Sequence, residues 1–175
     1  MVRGLVFIAG GARSGKSAYA LRRASTGPGC PGRKVYIATA QALDAEMAAR
    51  IDAHRFDRGG EWETVEEPLD VAAAVAGLGA GSAIVIDCLT LWLSNLLHSG
   101  MDDEKIKEAA CSLAKTCAAS PSLVIAVSNE VGQGLVPENP LARRFRDLSG
   151  WMNQQMAAKA AEAWLVACGI PLKLK

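Results

Sequence analysis

Hydrophobic positions along the chain fall into short unbroken runs, separated by longer stretches in which they recur every three or four residues. Residues 5–9 (LVFIA) are an apolar run that stops at Gly10 and Gly11, the pattern of a strand buried on both faces of a parallel sheet. A helix is expected from Lys16. Residues 25–33, rich in Gly and Pro, predict a surface loop, and 35–38 a second short strand. Residues 43–58 have helix-forming composition, and the spacing of Met47, Ile51 and His54 puts them on one helical face. Residues 62–65 alternate like a strand, 70–78 suit a short helix, and 83–86 form an apolar strand ending at Asp87. The remaining pattern predicts a helix over 105–118, a strand over 123–127, a long helix over 141–163, a strand over 164–167 and a closing hairpin over 170–175, with His98 in a solvated loop. No repeat, low-complexity tract or interdomain linker interrupts this order. Strands alternating with helices predict one three-layer α/β domain over residues 1–175, with a mostly parallel sheet and ligands outside the carboxyl ends of its strands.

Composition narrows the function. The 175 residues suit one hydrophobic core, and a content of 50% hydrophobic, 21% charged and 5% aromatic residues excludes a disordered tail, a collagen-like repeat and an aromatic-rich sugar or nucleic-acid platform. The longest uncharged stretch, residues 71–86, contains three glycines and is too short for a membrane span. Residues 1–43 carry seven Lys or Arg and no acid, whereas 44–70 carry nine acids and three arginines. The basic residues are spread through what reads as folded chain, which argues against a transit peptide. A weak positive lobe beside an acidic segment suits a phosphorylated small molecule and a divalent cation better than nucleic acid. Cys30, Cys88, Cys111, Cys117 and Cys168 form no C-x-x-C pair, consistent with a reduced, cytoplasmic setting. Two histidines are too few for a three-histidine zinc site.

Candidate chemistry begins at Gly10, Gly11, Ala12, Arg13, Ser14, Gly15, Lys16 and Ser17, which fit G-x-x-x-x-G-K-[ST] between a predicted strand and a predicted helix. In that loop backbone N–H groups wrap phosphate oxygens, the lysine neutralises them and the hydroxyl holds magnesium. Asp87, at the end of a strand, stands where an acidic residue contacts magnesium or its water shell in P-loop proteins. His54 lies among Arg50, Arg55 and Arg58. Such a histidine suits phosphate contact, proton transfer or attack at phosphorus, and equally a ring packed on Met47 and Ile51. Residues 129–134 (NEVGQG) follow a strand at the expected ligand edge, and 137–140 (PENP) lead into Arg143, Arg144, Arg146 and Asp147, either a capped helix start or a substrate contact.

Taken together, GGARSGKS at 10–17, YIATAQALDAEMAARIDAHR at 36–55, WETVEEP at 62–68, DCLTLWLSNLL at 87–97, the stretch from SNEVGQG at 128 to 157 and GIPLKLK at 169–175 resemble one family, the bifunctional adenosylcobinamide kinases and adenosylcobinamide-phosphate guanylyltransferases of cobalamin biosynthesis. The resemblance covers most of the chain, in order. It implies a RecA-like P-loop fold, a homotrimer and two reactions at one nucleotide site. These are phosphorylation of the cobinamide aminopropanol hydroxyl by ATP or GTP, then transfer of GMP from GTP to adenosylcobinamide phosphate with release of pyrophosphate. It further implies a GMP-histidine intermediate on His54, with Ala53 where some relatives carry a second histidine. Lys16 would act on phosphate charge and Ser17 and Asp87 would hold Mg²⁺, with Thr39, Ala40, Gln41, Arg55, Phe56, Asp57, Arg58 and Glu66 as further nucleotide contacts. Asn129, Glu130 and Arg143 are candidates for gripping the corrinoid. Two other classes compete: a P-loop small-molecule kinase without guanylyl transfer, and a regulatory or motor ATPase, for which 175 residues leave little room.

Overall fold

A computed structural model describes residues 4–26, 32–42 and 44–175, apart from the side chains of Arg50, His54 and Asp57. The middle of the predicted loop (27–31, with Cys30) and position 43 lie outside the described residues. The order of elements is β1 (Gly4–Gly10), α1 (Lys16–Thr26), β2 (Arg33–Ala38), α2 (Ala45–Arg58), β3 (Glu63–Glu66), α3 (Val71–Gly77), β4 (Ser82–Asp87), α4 (Leu89–His98), α5 (Asp103–Ala119), β5 (Leu123–Asn129), α6 (Pro140–Lys159), β6 (Glu162–Ala167) and β7 (Ile170–Lys173). The strands form one sheet in the order β3-β2-β4-β5-β1-β6-β7, parallel throughout except for β7 against β6.

Strand alternation sorts the core into two layers. Leu5 and Phe7 of β1, Ile84 and Ile86 of β4, and Val124 and Ala126 of β5 pack under α3, α4, α5 and α6, through Val75, Trp92, Leu113 and Met152 among others. The intervening residues Val6, Ile8, Val85, Ile125 and Val127 face α1, whose Ala20 and Ala24 are fully buried. Each large aliphatic side chain so buried contributes about 1.5–3 kcal/mol. Sequence alternation also sends Tyr36, Ala38, Asp87 and Asn129 toward the α1 layer, at the carboxyl ends of β2, β4 and β5.

Two sequence expectations need correction. Residues 89–98 are a helix, α4, and His98 sits in its last turn, with Nδ1 2.7 Å from the Ser94 carbonyl. Leu89, Trp92, Leu93 and Leu96 supply a helical apolar stripe, but Cys88 at the N-cap makes no side-chain capping bond, so the sequence carries no start signal. The helix expected over 141–163 ends at Lys159, although Ala157, Ala158, Ala160 and Ala161 are strong helix formers. The Ala161 N–H instead donates to the Leu5 carbonyl at 2.8 Å, and the chain enters the sheet as β6. The hairpin expected at the C-terminus is β6–β7.

Candidate functional site

The phosphate-loop sequence leaves β1 and enters α1 as a turn fixed from three sides. The Ser14 N–H donates to the Gly11 carbonyl at 3.2 Å, the Gly169 N–H of the β6–β7 turn to the Ser14 carbonyl at 2.9 Å, and the Glu130 N–H to the Gly10 carbonyl at 3.0 Å. A Cβ on Gly10 would lie 2.5 Å from the Val166 carbonyl oxygen, so glycine is required there. Gly15 has a φ of +90°, the second position that only glycine occupies without strain. The first turn of α1 holds no acidic residue, which leaves its positive end unneutralised for an anion.

Lys16 is 7% exposed and its Nζ donates to the Gly11 carbonyl at 3.0 Å. Burial lowers its pKa, and the negative charge of Asp87 partly opposes that shift. Asp87 accepts a hydrogen bond at Oδ2 from the Tyr36 hydroxyl at 2.9 Å. Burial first, and then the Asp87 charge, push the Tyr36 phenol far up, so it stays a donor. The Asp87–Cys88 peptide bond is cis. Burial also pushes the Cys88 thiol up to about 11, leaving it neutral. Thr39, fully buried, brackets this point: its Oγ1 accepts from the Cys88 N–H at 2.9 Å and donates to the Cys88 carbonyl at 2.8 Å. Asn95 of α4 ties two strand ends together, donating to the Thr39 carbonyl at 2.8 Å and the Pro68 carbonyl at 3.0 Å.

These groups open into a cleft of about 800 Å³ between the phosphate loop and α2. It is lined by Ala12, Arg13, Ser14, Gly15, Lys16 and Ser17, by Ala40, Arg55, Arg58 and Asp87, and by residues the sequence reading did not place there, notably Tyr36, Leu21 and Leu91. Gly10, Gly11, Thr39, Gln41, Phe56 and Glu66 are not in its wall. Thr39 acts from beneath, Phe56 is 88% exposed, and Glu66 pairs with Arg55. His54 falls within α2, and Met47, Ile51 and Arg58, seven, three and four positions away, all line the cleft. The side chains of His54 and Asp57 lie outside the described residues.

Residues further along resolve mainly into scaffold. Asn129 lines the cleft, while the Glu130 carboxylate accepts from the Gly132 N–H at 2.8 Å. Asn139 caps α6 by accepting from the Leu141 N–H at 2.8 Å, and Pro140 follows it. Arg143 donates to the Pro137 and Glu138 carbonyls, and Arg144 to Asp103 Oδ1 at 2.6 Å and the Met101 carbonyl at 3.0 Å. The acidic stretch around β3 is likewise engaged, with Glu61 on Lys34, Glu63 on Arg33 and Glu66 on Arg55. No three His, Cys, Asp or Glu gather as a metal cage among the described residues. The available donors, the Ser17 hydroxyl and the Asp87 carboxylate, suit a magnesium ion that keeps most of its water and nucleotide oxygens.

Tyr36 and Asn95 are the supporting residues that sequence reasoning missed. Both lie inside stretches already singled out, and period-2 alternation from Tyr36 to Ala38 would have placed the tyrosine on the ligand face.

The chain is similar to known proteins over nearly its whole length. The family described as "CobU: Cobinamide kinase / cobinamide phosphate guanyltransferase" matches residues 6–174. The "Bifunctional adenosylcobalamin biosynthesis protein CobU" of Escherichia coli (strain K12) is 41% identical over 184 residues, covering 98% of this chain and 99% of the relative. The "Bifunctional adenosylcobalamin biosynthesis protein CobP" of Pseudomonas aeruginosa is 43% identical over 170 residues, covering 96% and 95%. Among solved structures, an ATPase domain aligns with a TM-score of 0.50 at 17% identity, over 93% of this chain and 69% of that one. The "P4 protein from bacteriophage phi6 in complex with ADP" aligns with a TM-score of 0.50 at 16% identity, over 96% and 52%. These structural likenesses bear on the fold alone and agree with a mostly parallel sheet flanked by helices.

Proposed function

The chain belongs to the cobinamide kinase / cobinamide phosphate guanyltransferase family, and from that premise we propose that residues 1–175 act as a single bifunctional domain. It phosphorylates adenosylcobinamide with ATP or GTP, then transfers GMP from GTP to adenosylcobinamide phosphate. The observation that carries this reading is that the helix containing His54 walls the same cleft as the phosphate loop.

In the kinase reaction the aminopropanol hydroxyl attacks the γ-phosphorus. An O–P bond forms, the hydroxyl proton passes to solvent, the bond to the β-phosphate oxygen breaks, and the nucleoside diphosphate departs. Lys16, the loop amides and the N-terminus of α1 stabilise charge on the phosphate oxygens. Mg²⁺ held by Ser17 and Asp87 would neutralise further phosphate charge. In the transfer reaction a ring nitrogen of His54 attacks the α-phosphorus of GTP, an N–P bond forms, and pyrophosphate leaves with the electron pair. A phosphate oxygen of adenosylcobinamide phosphate then displaces the imidazole, giving adenosylcobinamide-GDP. Arg55 and Arg58 line the cleft wall, and in this reading they steady the departing pyrophosphate. Ala40, on the cleft wall, is a further proposed nucleotide contact, while buried Thr39 supports the Asp87–Cys88 step from beneath. A homotrimer working in the cytoplasm is part of the same reading, and sedimentation at micromolar concentration tests the assembly.

The deciding experiment incubates the protein with Mg²⁺ and GTP labelled at the α-phosphate, followed by denaturation and intact mass analysis. The expected result is an acid-labile GMP adduct, absent from His54→Ala, which loses guanylyl transfer while retaining GTP binding. Transfer at the wild-type rate in His54→Ala would overturn the nucleophile assignment. Phosphorylation without any adduct would favour a plain kinase.

A further inference from the structure

We propose that Tyr36 is a positioning residue for Asp87, orienting that carboxylate toward the metal of the bound nucleotide. The proposal rests on the reading of Asp87 as a magnesium contact.

Its basis is strand register. Ala38 pairs with Asp87 across β2 and β4, while Tyr36 pairs with Val85, so Tyr36 reaches Asp87 along the diagonal of the ladder. Two residues of rise, about 6.6 Å, separate the two positions along the strands in addition to the interstrand spacing of about 4.8 Å, a gap only a long side chain closes. Tyr36 closes it with a 2.9 Å hydrogen bond to Oδ2. The hydroxyl has no other hydrogen bond among the described residues, and neither does Oδ1 of Asp87.

The ring is aimed from two sides. Trp62 meets it edge-on, with centroids 6.4 Å apart and planes at 85°, and the Arg58 guanidinium lies 3.8 Å from its centroid. Tyr36 is 5% exposed, so the hydroxyl has little freedom to swing. A phenylalanine would fill the same slot between Trp62 and Arg58. The hydroxyl is therefore required by Asp87 and not by packing. Holding Oδ2 removes rotation of the carboxylate about its last torsion and leaves Oδ1 as the one oxygen offered to the cleft. Partners of this kind, one shell behind a ligand, typically change metal affinity by about 10–100-fold when removed.

The test compares wild type, Tyr36→Phe and Asp87→Asn. Each is titrated with Mn²⁺ in the presence of the β,γ-imido analogue of GTP, with bound Mn²⁺ read by electron paramagnetic resonance, and affinity for the analogue is measured separately without metal. Tyr36→Phe is expected to weaken Mn²⁺ binding about tenfold or more, with metal-free analogue affinity unchanged. The magnesium concentration that half-saturates the kinase reaction should rise in parallel. Wild-type Mn²⁺ affinity in Tyr36→Phe, with weakened binding in Asp87→Asn, would overturn the positioning role alone. Unchanged Mn²⁺ affinity in both variants would overturn the magnesium reading of Asp87 and this proposal with it. An equal loss of metal-free analogue binding in Tyr36→Phe would make the hydroxyl a support of the fold and also overturn the proposal.

Discussion

The two helices that wall the cleft are held in opposite ways. The α1 helix buries Ala20 and Ala24 against Val6, Ile8, Ile125 and Val127, and the loop before it is fixed by backbone hydrogen bonds from β6–β7 and from Glu130. The α2 helix has no fully buried side chain among its described residues. Arginines tether it: Arg58 lies on the Tyr36 ring and donates to Thr64 Oγ1 at 3.3 Å, and Arg55 pairs with Glu66. Each such exposed or half-exposed contact contributes only about 0–1 kcal/mol. The phosphate-binding wall is thus built before any ligand arrives, whereas the wall containing His54 is held by contacts cheap enough for a ligand to rearrange.

The largest effect should come from breaking the buried side. Ile125→Ala, under α1, is expected to cost about 2–5 kcal/mol of stability, measured by denaturant unfolding, and to lower both activities together as the folded fraction falls. A stable variant would mean that α1 is anchored elsewhere.

Lys16→Ala leaves the fold in place and should reduce both reactions by about 10²–10³-fold in kcat/KM. Loss of only one reaction would require two nucleotide sites. Acidity sharpens this test. Burial holds the free Lys16 below the ordinary lysine value of 10.5, and bound phosphate favours its ammonium form. GTP affinity should therefore be full at neutral pH and decline in the alkaline range, beginning below 10.5. Lys16→Arg, charged throughout, should lack that decline.

The smallest effect belongs to the tether. Arg58→Ala should leave global unfolding within about 1 kcal/mol of wild type. Hydrogen-exchange protection of the α2 amides should nonetheless fall about fivefold or more. Unchanged protection would show that the arginines do not hold this helix.

Much of the site was readable before the fold. The glycines and Lys16 of the phosphate loop are dictated by local chemistry, a backbone with room only for hydrogen at Gly10 and a left-handed turn at Gly15. Asp87 was readable because an apolar strand ends there. The supporting layer was not. Asn95 is polar on a helix that begins without a capping side chain, and the partners it satisfies are 56 and 27 residues away.

What the sequence determined by itself is the alternation of strands and helices, the nucleotide-binding loop and the family, because each is carried by residues close along the chain or by a pattern repeated over its whole length. Tertiary structure decided the rest. Strand order brought Lys16, Tyr36, Asp87 and Asn129 to one edge, competition from the sheet ended α6 at Lys159, and the basic side chains of Arg33, Lys34 and Arg55 engaged carboxylates of the acidic segment. Those outcomes depend on which distant groups meet in three dimensions, where burial and hydrogen-bond satisfaction outweigh local propensity.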